Sequence, residues 1–375
     1  MPTTIAIVGG GPGGLMLARL LQLRGVAATV FERDVHPDER PQGGSLDLHA
    51  ETGQRAMRLA ALEAEFLAEA RPEHQGDRLY DAAGTLLWDQ DGAGHDRPEI
   101  DRTALRRILL DSLAPGSVRW GSKVEVIASA EAGYRVIAND SDERFDVVVG
   151  ADGAWSRVRP LLSTATPVYE GVTAIELGFD AGRHPDVAAL VGAGKMFAAG
   201  NNRTLIGQLN GHGHIRGYAI WPMPEAEAAL LAAAPPEIGR ARALEAFAGF
   251  APSLLRMIET GDLLGTRSIY ALPIGHSWPS RPGLTLLGDA AHVMSPFSGE
   301  GVNLALADAA DLAEALVSDV GWAAVSAHEA VLAGRAAIAA AGARAGLETA
   351  ISPKGVTGIL EHYRERGAQS GGSQA

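Results

Sequence analysis

The first part of the chain alternates short apolar runs with a longer helical stretch. Ile5–Val8 is a β-branched run typical of a buried parallel strand, and Leu15–Leu23 has helical character. Val26–Phe31 is predicted to form a second strand. Strand, helix and strand in this order are typical of an α/β fold with a parallel sheet.

The middle of the chain has a different pattern. Thr204–Gln208 and His214–Trp221 alternate apolar and polar residues, which predicts antiparallel strands. Pro222–Gly261 contains an Ala/Leu-rich helical stretch that Pro235 and Pro236 interrupt. A second, sheet-containing domain is therefore expected here.

Length, charge and composition exclude several classes of protein. With 375 residues, the chain exceeds the usual limit for one hydrophobic core. Its net charge of −13 argues against general nucleic-acid binding and against a polybasic membrane anchor. It contains no cysteine, which excludes disulfides, thiolate nucleophiles and cysteine-based metal sites. Residues 1–18 are uncharged, but Pro12 and the glycines interrupt this apolar stretch, so neither a signal peptide nor a membrane-spanning helix is expected. We therefore expect a cytoplasmic enzyme.

A glycine-rich motif lies between the first strand and helix. Gly9, Gly11 and Gly14 have the G-x-G-x-x-G spacing, and Glu32 ends the second strand. In this pattern the first glycine permits a tight turn, the second leaves room for a pyrophosphate, and the third lets helix and strand pack closely. Glu32 can accept hydrogen bonds from a ribose. The motif predicts dinucleotide binding but is compatible with both NAD and FAD.

Two later strands are followed by further motifs. Phe145–Val149 precedes Ala151-Asp152-Gly153, and Leu284–Leu287 precedes Gly288-Asp289. The segment Pro296-Phe297-Ser298-Gly299-Glu300-Gly301-Val302-Asn303 then leads into a helix predicted from Val302 to Leu316. By itself, each aspartate is equally compatible with a loop residue that binds its own backbone.

Together these segments resemble the A-D-G and G-D motifs of class A FAD-dependent monooxygenases, the aromatic hydroxylases. The resemblance implies a Rossmann-type FAD-binding domain of the glutathione-reductase-like, hydroxylase class, with an inserted antiparallel-sheet substrate domain. It places Asp152 and Asp289 at FAD, with Asp289 on the ribityl chain. Pro296 and Gly299 would lie beside the flavin ring, with Gly301, Val302 and Asn303 also contacting the cofactor. The family uses NADPH or NADH and O2 and forms a flavin hydroperoxide, so no side chain is assigned as a nucleophile.

A predicted helix over Arg102–Leu113 carries arginines on different faces. Asp101 is a plausible N-cap, and Arg102 and Arg106 fall on or beside the apolar stripe, whereas Arg107 points away. The resemblance assigns Arg102 to the flavin phosphates and ribityl chain. Arg106 is interpreted as an exposed or Asp-paired charge.

A closer resemblance is to the tetracycline-inactivating monooxygenases. It rests on Glu32-Arg33-Asp34, Gly43–His49, Pro98–Arg102, Gly200–Arg203 and Pro296–Asn303. It implies that Arg33, Asp47 and Arg102 bind FAD and that Arg40 engages NADPH. Without it, Asp47 is equally a turn cap and Arg40 a solvated loop charge.

The resemblance also implies substrate-binding positions at Glu176, Arg203, Arg216 and Phe297. A carboxylate at 176 replaces the family's neutral amide, so an anionic phenol would be repelled unless Arg203 or Arg216 compensates. Alternatively, Glu176, Arg203 and Arg216 are sheet-surface residues paired with one another. A tetracycline-like polycyclic phenol or a smaller phenol is expected as substrate.

The family's chain order predicts discontinuous domains. Residues 1–72, 97–165 and 267–321 would bind FAD, and residues 73–96 and 166–266 would bind the substrate. Residues 322–365 would form C-terminal helices, with one long bracing helix at Trp322–Ala350 and a short one at Val356–Arg364, before a disordered tail at 366–375. A monomer without nucleic-acid or membrane partners is expected.

Other functions on this scaffold stay open. A flavin dehydrogenase or reductase would not insert oxygen, and a FAD-bearing protein could sequester a drug without turnover. A flavin halogenase is disfavoured because the six tryptophans are widely spaced and form no W-x-W segment. His292 is interpreted as a structural histidine and not as a base.

Overall fold

The computed structural model describes residues 3–39, 43–92, 96–139 and 141–371. These residues form two compact units, each assembled from three segments of the chain. The first unit takes the described residues within 1–69, 102–168 and 270–343. The second takes those within 70–101, 169–269 and 344–375.

The strands and helices follow one another along the chain in these ranges. The strands are β1 (Ile5–Val8), β2 (Ala28–Phe31), β3 (Ser45–Asp47), β4 (Gly76–Asp81), β5 (Leu86–Gln90), β6 (Glu99–Asp101), β7 (Val118–Arg119), β8 (Val124–Ser129), β9 (Tyr134–Ala138), β10 (Ser141–Phe145), β11 (Val147–Gly150), β12 (Val168–Asp180), β13 (Gly194–Gly200), β14 (Arg203–Leu209), β15 (His214–Pro222), β16 (Asp262–Ala271) and β17 (Leu284–Leu286). The helices are α1 (Pro12–Leu23), α2 (Arg55–Leu59), α3 (Glu63–Glu69), α4 (Arg102–Asp111), α5 (Pro185–Val191), α6 (Glu225–Ala233), α7 (Pro236–Ala246), α8 (Pro252–Thr260), α9 (Asp289–His292), α10 (Gly301–Leu316), α11 (Trp322–Ala350) and α12 (Gly355–Gly371).

A five-stranded parallel sheet forms the centre of the first unit. Its strand order is β17-β11-β1-β2-β7, so Ile5 of β1 pairs with Val147 on one side and with Ala28 on the other. β1 is fully buried, as its continuous β-branched run predicts. Because the strands are parallel, their carboxyl ends bring the loops after β1, β11 and β17 to one edge of the sheet.

A three-stranded antiparallel sheet completes the first unit. Its order is β10-β9-β8, and Phe145 and Val136 contribute to a core that also includes residues of the parallel sheet. Phe31 of β2 meets Phe145 edge to face, with ring centroids 5.7 Å apart. The predicted strand at 145–149 is therefore two strands, with β10 ending at Phe145 and β11 beginning at Val147.

The second unit is built on a seven-stranded sheet with the order β16-β12-β15-β14-β13-β4-β5. β13 and β4 pair in parallel, and the pairs β12–β15, β15–β14, β14–β13 and β4–β5 are antiparallel. One face packs on a core that includes Ile175, Phe179, Trp221 and Met257. β13 and β14 are joined by Asn201 and Asn202, both at positive φ (51° and 62°), a conformation that asparagine tolerates in tight hairpins.

Two long helices end the described chain. α11 coincides with the predicted Trp322–Ala350 helix, and it is the one helix in the described ranges whose length and apolar composition would allow it to cross a membrane. α12 begins one residue before the predicted Val356–Arg364 helix and continues to Gly371, into the segment predicted as a disordered tail. Residues 372–375 lie outside the described ranges.

Candidate functional site

The glycine loop after β1 combines close backbone packing with one open edge. Gly9 has φ +112°, and a Cβ there would lie 2.3 Å from the Ala151 carbonyl oxygen. A Cβ on Gly14 would lie 2.2 Å from the Gly9 carbonyl oxygen. A Cβ on Gly11 would meet nothing within 4 Å. Gly9 and Gly14 therefore serve close packing, whereas Gly11 borders open space at the start of α1, where unpaired helix N–H groups can receive an anion.

Glu32 anchors this loop from the end of β2. Its side chain is buried, with Oε2 accepting the Gly10 N–H at 2.7 Å and Oε1 accepting the Asp34 N–H at 2.9 Å. The Glu32 carboxylate thus fixes the glycine loop by accepting hydrogen bonds from backbone N–H groups. A contact between Glu32 and a ribose stays a prediction. Arg33 is exposed, and Arg40 lies outside the described residues.

Asp152 of the A-D-G segment caps the turn that follows it. Its Oδ2 accepts the Arg157 N–H at 2.6 Å, whereas its Oδ1 is buried and has no hydrogen-bond partner among the described residues. Burial raises the pKa of Asp152, partly offset by its hydrogen bonds to Ser156 and Arg157. The capping interpretation accounts for Oδ2, and the orphaned Oδ1 is a polar atom that a ligand donor would satisfy.

Arg159 is a site residue that the sequence analysis missed. It is buried, and its guanidinium donates to the carbonyl oxygens of Ala154 (2.7 Å), Ala165 (3.2 Å) and Ala290 (3.0 Å). It therefore joins the A-D-G loop to the helix of the G-D motif. The sequence gives no signal for this role, because the acceptors are backbone atoms of alanines up to 131 residues away.

The G-D motif presents Asp289 outward from a fixed turn. Asp289 is exposed at the start of α9, and Gly288 before it has φ +58°. Asp308 of α10 accepts the Gly288 N–H at 3.1 Å and contacts His292 Nε2 at 2.6 Å. Burial acts to lower the pKa of His292, but the combined effect of the Asp308 charge and hydrogen bond is larger, so the pKa is raised overall. His292 is thus buried and ion-paired with Asp308, an arrangement consistent with the structural role predicted for it.

The turn from Pro296 to Asn303 lies at the start of α10. Pro296 and Gly299 are exposed, Phe297 is partly buried, and a Cβ on Gly301 would meet nothing within 4 Å. Val302 is likewise half-buried in the first turn of the helix. This end of α10 thus offers open space beside helix N–H groups, which suits an electron-rich carbonyl.

The buried side chain of Asn303 forms hydrogen bonds with the backbone around this turn. Its buried carboxamide accepts the His49 N–H at 2.9 Å and donates to the Asp47 carbonyl at 2.9 Å and the Gly299 carbonyl at 3.4 Å. Its side chain therefore fastens the end of β3 to this turn, so any cofactor contact of Asn303 is expected from its backbone.

Asp47 is the cofactor residue predicted on β3. Its carboxylate is partly exposed and pairs with His49 at 3.3 Å, and a Cβ on Gly299 would lie 3.5 Å from its Oδ1. Asp47 thus lies next to Gly299, which is consistent with the prediction that both residues contact the flavin.

The arginines of α4 differ in their exposure, and Arg106 is more buried than one of its two predicted interpretations allows. Arg102 is exposed, and a Cβ on Gly43 would lie 3.2 Å from its Cδ. Arg106 is the buried one, 3% exposed, with its Nη2 3.6 Å from Asp34 Oδ2 and its Nη1 donating to the Pro37 carbonyl. The exposed interpretation of Arg106 is wrong and the Asp-paired one is correct, because a guanidinium on the core-facing stripe of α4 needs an anion and carbonyl acceptors.

In the second unit, Glu176 of β12 is the centre of an ion-pair cluster. It is 7% exposed, with Oε1 accepting Arg267 Nε at 2.6 Å and Oε2 3.9 Å from Arg216 Nη1. Arg267, on β16, was not predicted. The predicted pairing of Glu176 with Arg216 is present. Arg203 instead donates to the Asn201 carbonyl at 2.9 Å, and no contact that the structure describes joins it to Glu176 or Arg216.

These features fit FAD as a cofactor of the first unit. A dinucleotide needs a side-chain-free cradle at Gly11, unpaired N–H groups at two helix starts, and polar atoms such as Asp152 Oδ1 that lack a protein partner. The glycine loop lies against the A-D-G segment, since a Cβ on Gly9 would meet Ala151 and Asp152, and Gly13 of α1 lies beside Leu287, which precedes the G-D motif, and Ala305 of α10.

Comparison with known proteins agrees with this arrangement. Residues 2–229 and 277–345 match the family described as "FAD binding domain". The chain is 33% identical over 369 residues to "Monooxygenase asqM" of Emericella nidulans, covering 83% of each chain. It is 30% identical over 330 residues to "3-amino-4-hydroxybenzoate 2-monooxygenase PtmB3" of Streptomyces platensis, covering 83% of this chain and 79% of that protein.

Solved structures share the fold at lower identity. Klebsiella pneumoniae HpxO, crystallised with FAD and uric acid, has a TM-score of 0.80 and 22% identity, covering 97% of this chain and 93% of its own. Tetracycline destructase Tet(55) has a TM-score of 0.76 and 19% identity, covering 97% and 94%. The predicted α/β FAD-binding hydroxylase fold is confirmed. The likeness to destructases is one among several, and HpxO superposes better than Tet(55).

Proposed function

Because the chain belongs to the FAD-dependent monooxygenases that carry this FAD-binding domain, we propose that it hydroxylates an aromatic or polycyclic phenolic substrate. The enzyme uses FAD, with NAD(P)H as electron donor and O2 as co-substrate. The proposal is supported chiefly by the packing of Gly9 against Ala151 and Asp152 of the A-D-G segment and by the open space that borders Gly11 at the start of α1 and Gly301 at the start of α10.

Bound FAD would supply the oxygen-activating chemistry, and the chain's residues would hold it in place. We assign the pyrophosphate to the α1 N-terminus beside Gly11, with Gly9 and Gly14 shaping that loop and with Arg102 and Arg33 as cationic partners. Asp152, Asp289 and Glu32 would accept hydroxyl hydrogen bonds. Asp47, Pro296, Gly299, Gly301, Val302 and Asn303 would border the flavin, and Arg40 would engage the nicotinamide donor.

The substrate is proposed to be a phenol that can carry negative charge. Glu176 alone would repel such a ligand, but Arg267 and Arg216 outnumber it, so the cluster carries a net charge of +1. Arg216 is 14% exposed in its side chain, and desolvation strengthens its attraction for an anion. Arg203 and Phe297 are proposed as further substrate contacts.

Tetracycline is one candidate within this class, supported by the shared fold with Tet(55) and by the resemblance of the segments Gly43–His49 and Pro296–Asn303 to the tetracycline-inactivating monooxygenases. An aminohydroxybenzoate-like phenol is another, supported by the 30% identity with the Streptomyces enzyme. We further propose a cytoplasmic monomer that needs no membrane or nucleic acid, in keeping with its net charge of −13.

The test is a substrate panel on the FAD-loaded enzyme. Anionic phenols, neutral phenols and tetracycline are each incubated with NADPH or NADH, and both cofactor consumption and product mass are recorded. We expect at least one phenol to stimulate consumption and to give a product heavier by one oxygen atom. Arg216→Gln should weaken turnover of the anionic members selectively, whereas Arg242→Gln, an exposed arginine of α7, should not.

Each alternative has its own outcome. Consumption without a heavier product across the panel would indicate a flavin reductase and overturn the hydroxylase assignment. Tight tetracycline binding without consumption would indicate a sequestering protein. If Arg216→Gln and Arg242→Gln gave the same panel profile, the assignment of Arg216 to the substrate site would be wrong.

A further inference from the structure

His49 lies between two carboxylates beside the turn that opens α10. Its Nε2 is 3.3 Å from Asp47 Oδ2, and its Nδ1 is 3.4 Å from Glu300 Oε1. A neutral imidazole has one N–H and one lone pair, so it can donate to only one of these acceptors. Only the protonated ring donates to both, so this placement between two carboxylates favours the imidazolium.

The backbone of the same segment is fastened to the same turn. The His49 N–H donates to Asn303 Oδ1 at 2.9 Å, and Asn303 Nδ2 donates to the Asp47 carbonyl at 2.9 Å. Asn303 Nδ2 also lies 3.4 Å from the Gly299 carbonyl. The imidazolium thus adds a side-chain link, to Glu300, alongside the backbone links that hold residues 47–49 against residues 299–303.

The charge balance around the ring is consistent with this state. Burial acts to lower the pKa of His49, but the hydrogen bonds to Asp47 and Glu300 outweigh it and raise the pKa to about 9. Asp47 faces the ring from the end of β3 and Glu300 from the turn, and both are partly exposed. The ring is therefore charged at neutral pH, and it leaves the three-residue group with one net negative charge.

We propose that His49 is a positioning residue of the flavin-binding turn, whose imidazolium bridges Asp47 and Glu300 and thereby fixes Gly299 and Gly301 for the cofactor. This inference rests on the proposed function, because it takes the open space at this turn as the flavin site. It assigns no contact between His49 and FAD. Its consequence is that FAD affinity depends on the proton of His49.

The experiment measures FAD dissociation constants of apoprotein by flavin fluorescence from pH 7 to 10. We compare wild type, His49→Gln, Glu300→Gln and, as a matched control, His362→Gln, an exposed histidine of α12. At pH 7.5, His49→Gln should weaken FAD binding about tenfold, as expected for the loss of one charge-assisted hydrogen bond. His362→Gln should bind as wild type does.

The pH profile separates positioning from simple packing. With one proton coupled to binding, a pKa of about 9 and a tenfold preference for the protonated ring, wild-type affinity should fall by about fivefold between pH 8 and 10 relative to His49→Gln, in which this dependence is absent. Dividing by the His49→Gln profile removes the titration of FAD itself. Glu300→Gln should move the transition to lower pH, because one of the two carboxylates that raise the pKa is gone.

Equal FAD affinities and parallel pH profiles for wild type and His49→Gln would overturn the proposal. If His49→Gln does not fold, Glu300→Gln decides the question, because Glu300 is 30% exposed and its substitution should leave the fold intact. A transition at lower pH than in wild type would support the proposal, and an undisplaced transition would overturn it. Wild-type protein that binds no FAD at all would overturn the proposed function. Wild-type protein that binds FAD without a pH transition would overturn this proposal alone.

Discussion

At the scale of single residues, the arginines of α4 show how one helix divides its charges. Arg102 and Arg107 are exposed, whereas Arg106 is buried against Asp34. Helical spacing identified the two positions near the apolar stripe, but it could not say which guanidinium would be enclosed. That depends on Asp34 and the Pro37 carbonyl, which the fold brings from residues about 70 positions earlier.

We predict opposite consequences for these arginines. Arg102→Ala should lower FAD affinity roughly ten- to a hundredfold, the value of a charged hydrogen bond of about 1.5 to 3 kcal/mol, without lowering stability. Arg106→Ala should lower the free energy of unfolding by about 3 kcal/mol, because Asp34 stays buried without its cation. Fluorescence titration with FAD and urea unfolding measure the two effects.

Arg107→Ala is the control on the same helix and should change neither quantity measurably. Unaltered flavin binding in Arg102→Ala would remove Arg102 from the cofactor site. A fully stable Arg106→Ala would show that the pair with Asp34 contributes little.

At the scale of elements, the predicted strands and helices agree closely with the structure where the hydrophobic pattern is continuous. β1 and α11 have the predicted ends, and α10 begins one residue earlier than predicted. Prediction was poorer where the contacts are non-local. Arg159, which links two motif loops, and Arg267, which pairs with Glu176 from another strand, carry no local signature.

The link between α9, α10 and α11 is the element-scale feature with the clearest energetic consequence. Asp308 of α10 is buried and binds His292 of α9, the Gly288 N–H and Arg335 of α11. Asp308→Asn should lower the free energy of unfolding by about 3 kcal/mol, because it leaves Arg335 and the buried His292 without the carboxylate that they share. Glu314→Gln, an exposed change on α10, should be within about 0.5 kcal/mol of wild type.

The pH dependence of this pair gives a second measurement. The pKa of His292 is raised from 6.5, so its contribution is complete below pH 6.5 and is lost as the pH rises through the folded value. The pKa of Asp308 is lowered from 3.8, so its contribution is complete above pH 3.8 and is lost at lower pH. Asp308→Asn should flatten the stability profile on both sides, and an unchanged profile would contradict the assignment.

At the scale of the whole molecule, each unit is assembled from distant segments. The glycine, A-D-G and G-D motifs come from the three segments of the first unit, and their order along the chain is enough to predict that they share one site. The sequence could not show that residues up to 343 of α11 belong to the first unit and those from 344 to the second. That division depends on packing partners, which an Ala-rich pattern does not specify.

The C-terminal segment of the second unit leads to a prediction about truncation. Thr204 Oγ1 donates to the Ala350 carbonyl at 2.6 Å, Arg344 pairs with Glu170 at 3.0 Å, and the buried Tyr363 lies 6.0 Å from Trp88 between ring centroids. A chain ending at Ala343 loses all three contacts with the seven-stranded sheet. We expect it to unfold at a markedly lower temperature, whereas a chain ending at Gly371 should melt as the full chain does.

Tyr363→Ala tests the same packing in the complete chain. Removing a buried aromatic ring should cost about 3 kcal/mol in urea unfolding. Because the first unit lacks these contacts, FAD affinity measured below the transition should stay at the wild-type value. If the chain ending at Ala343 kept full thermal stability, the last helices would not be part of the folded second unit. If Tyr363→Ala instead lost FAD while remaining stable, the C-terminal segment would act on the cofactor site and not on the sheet.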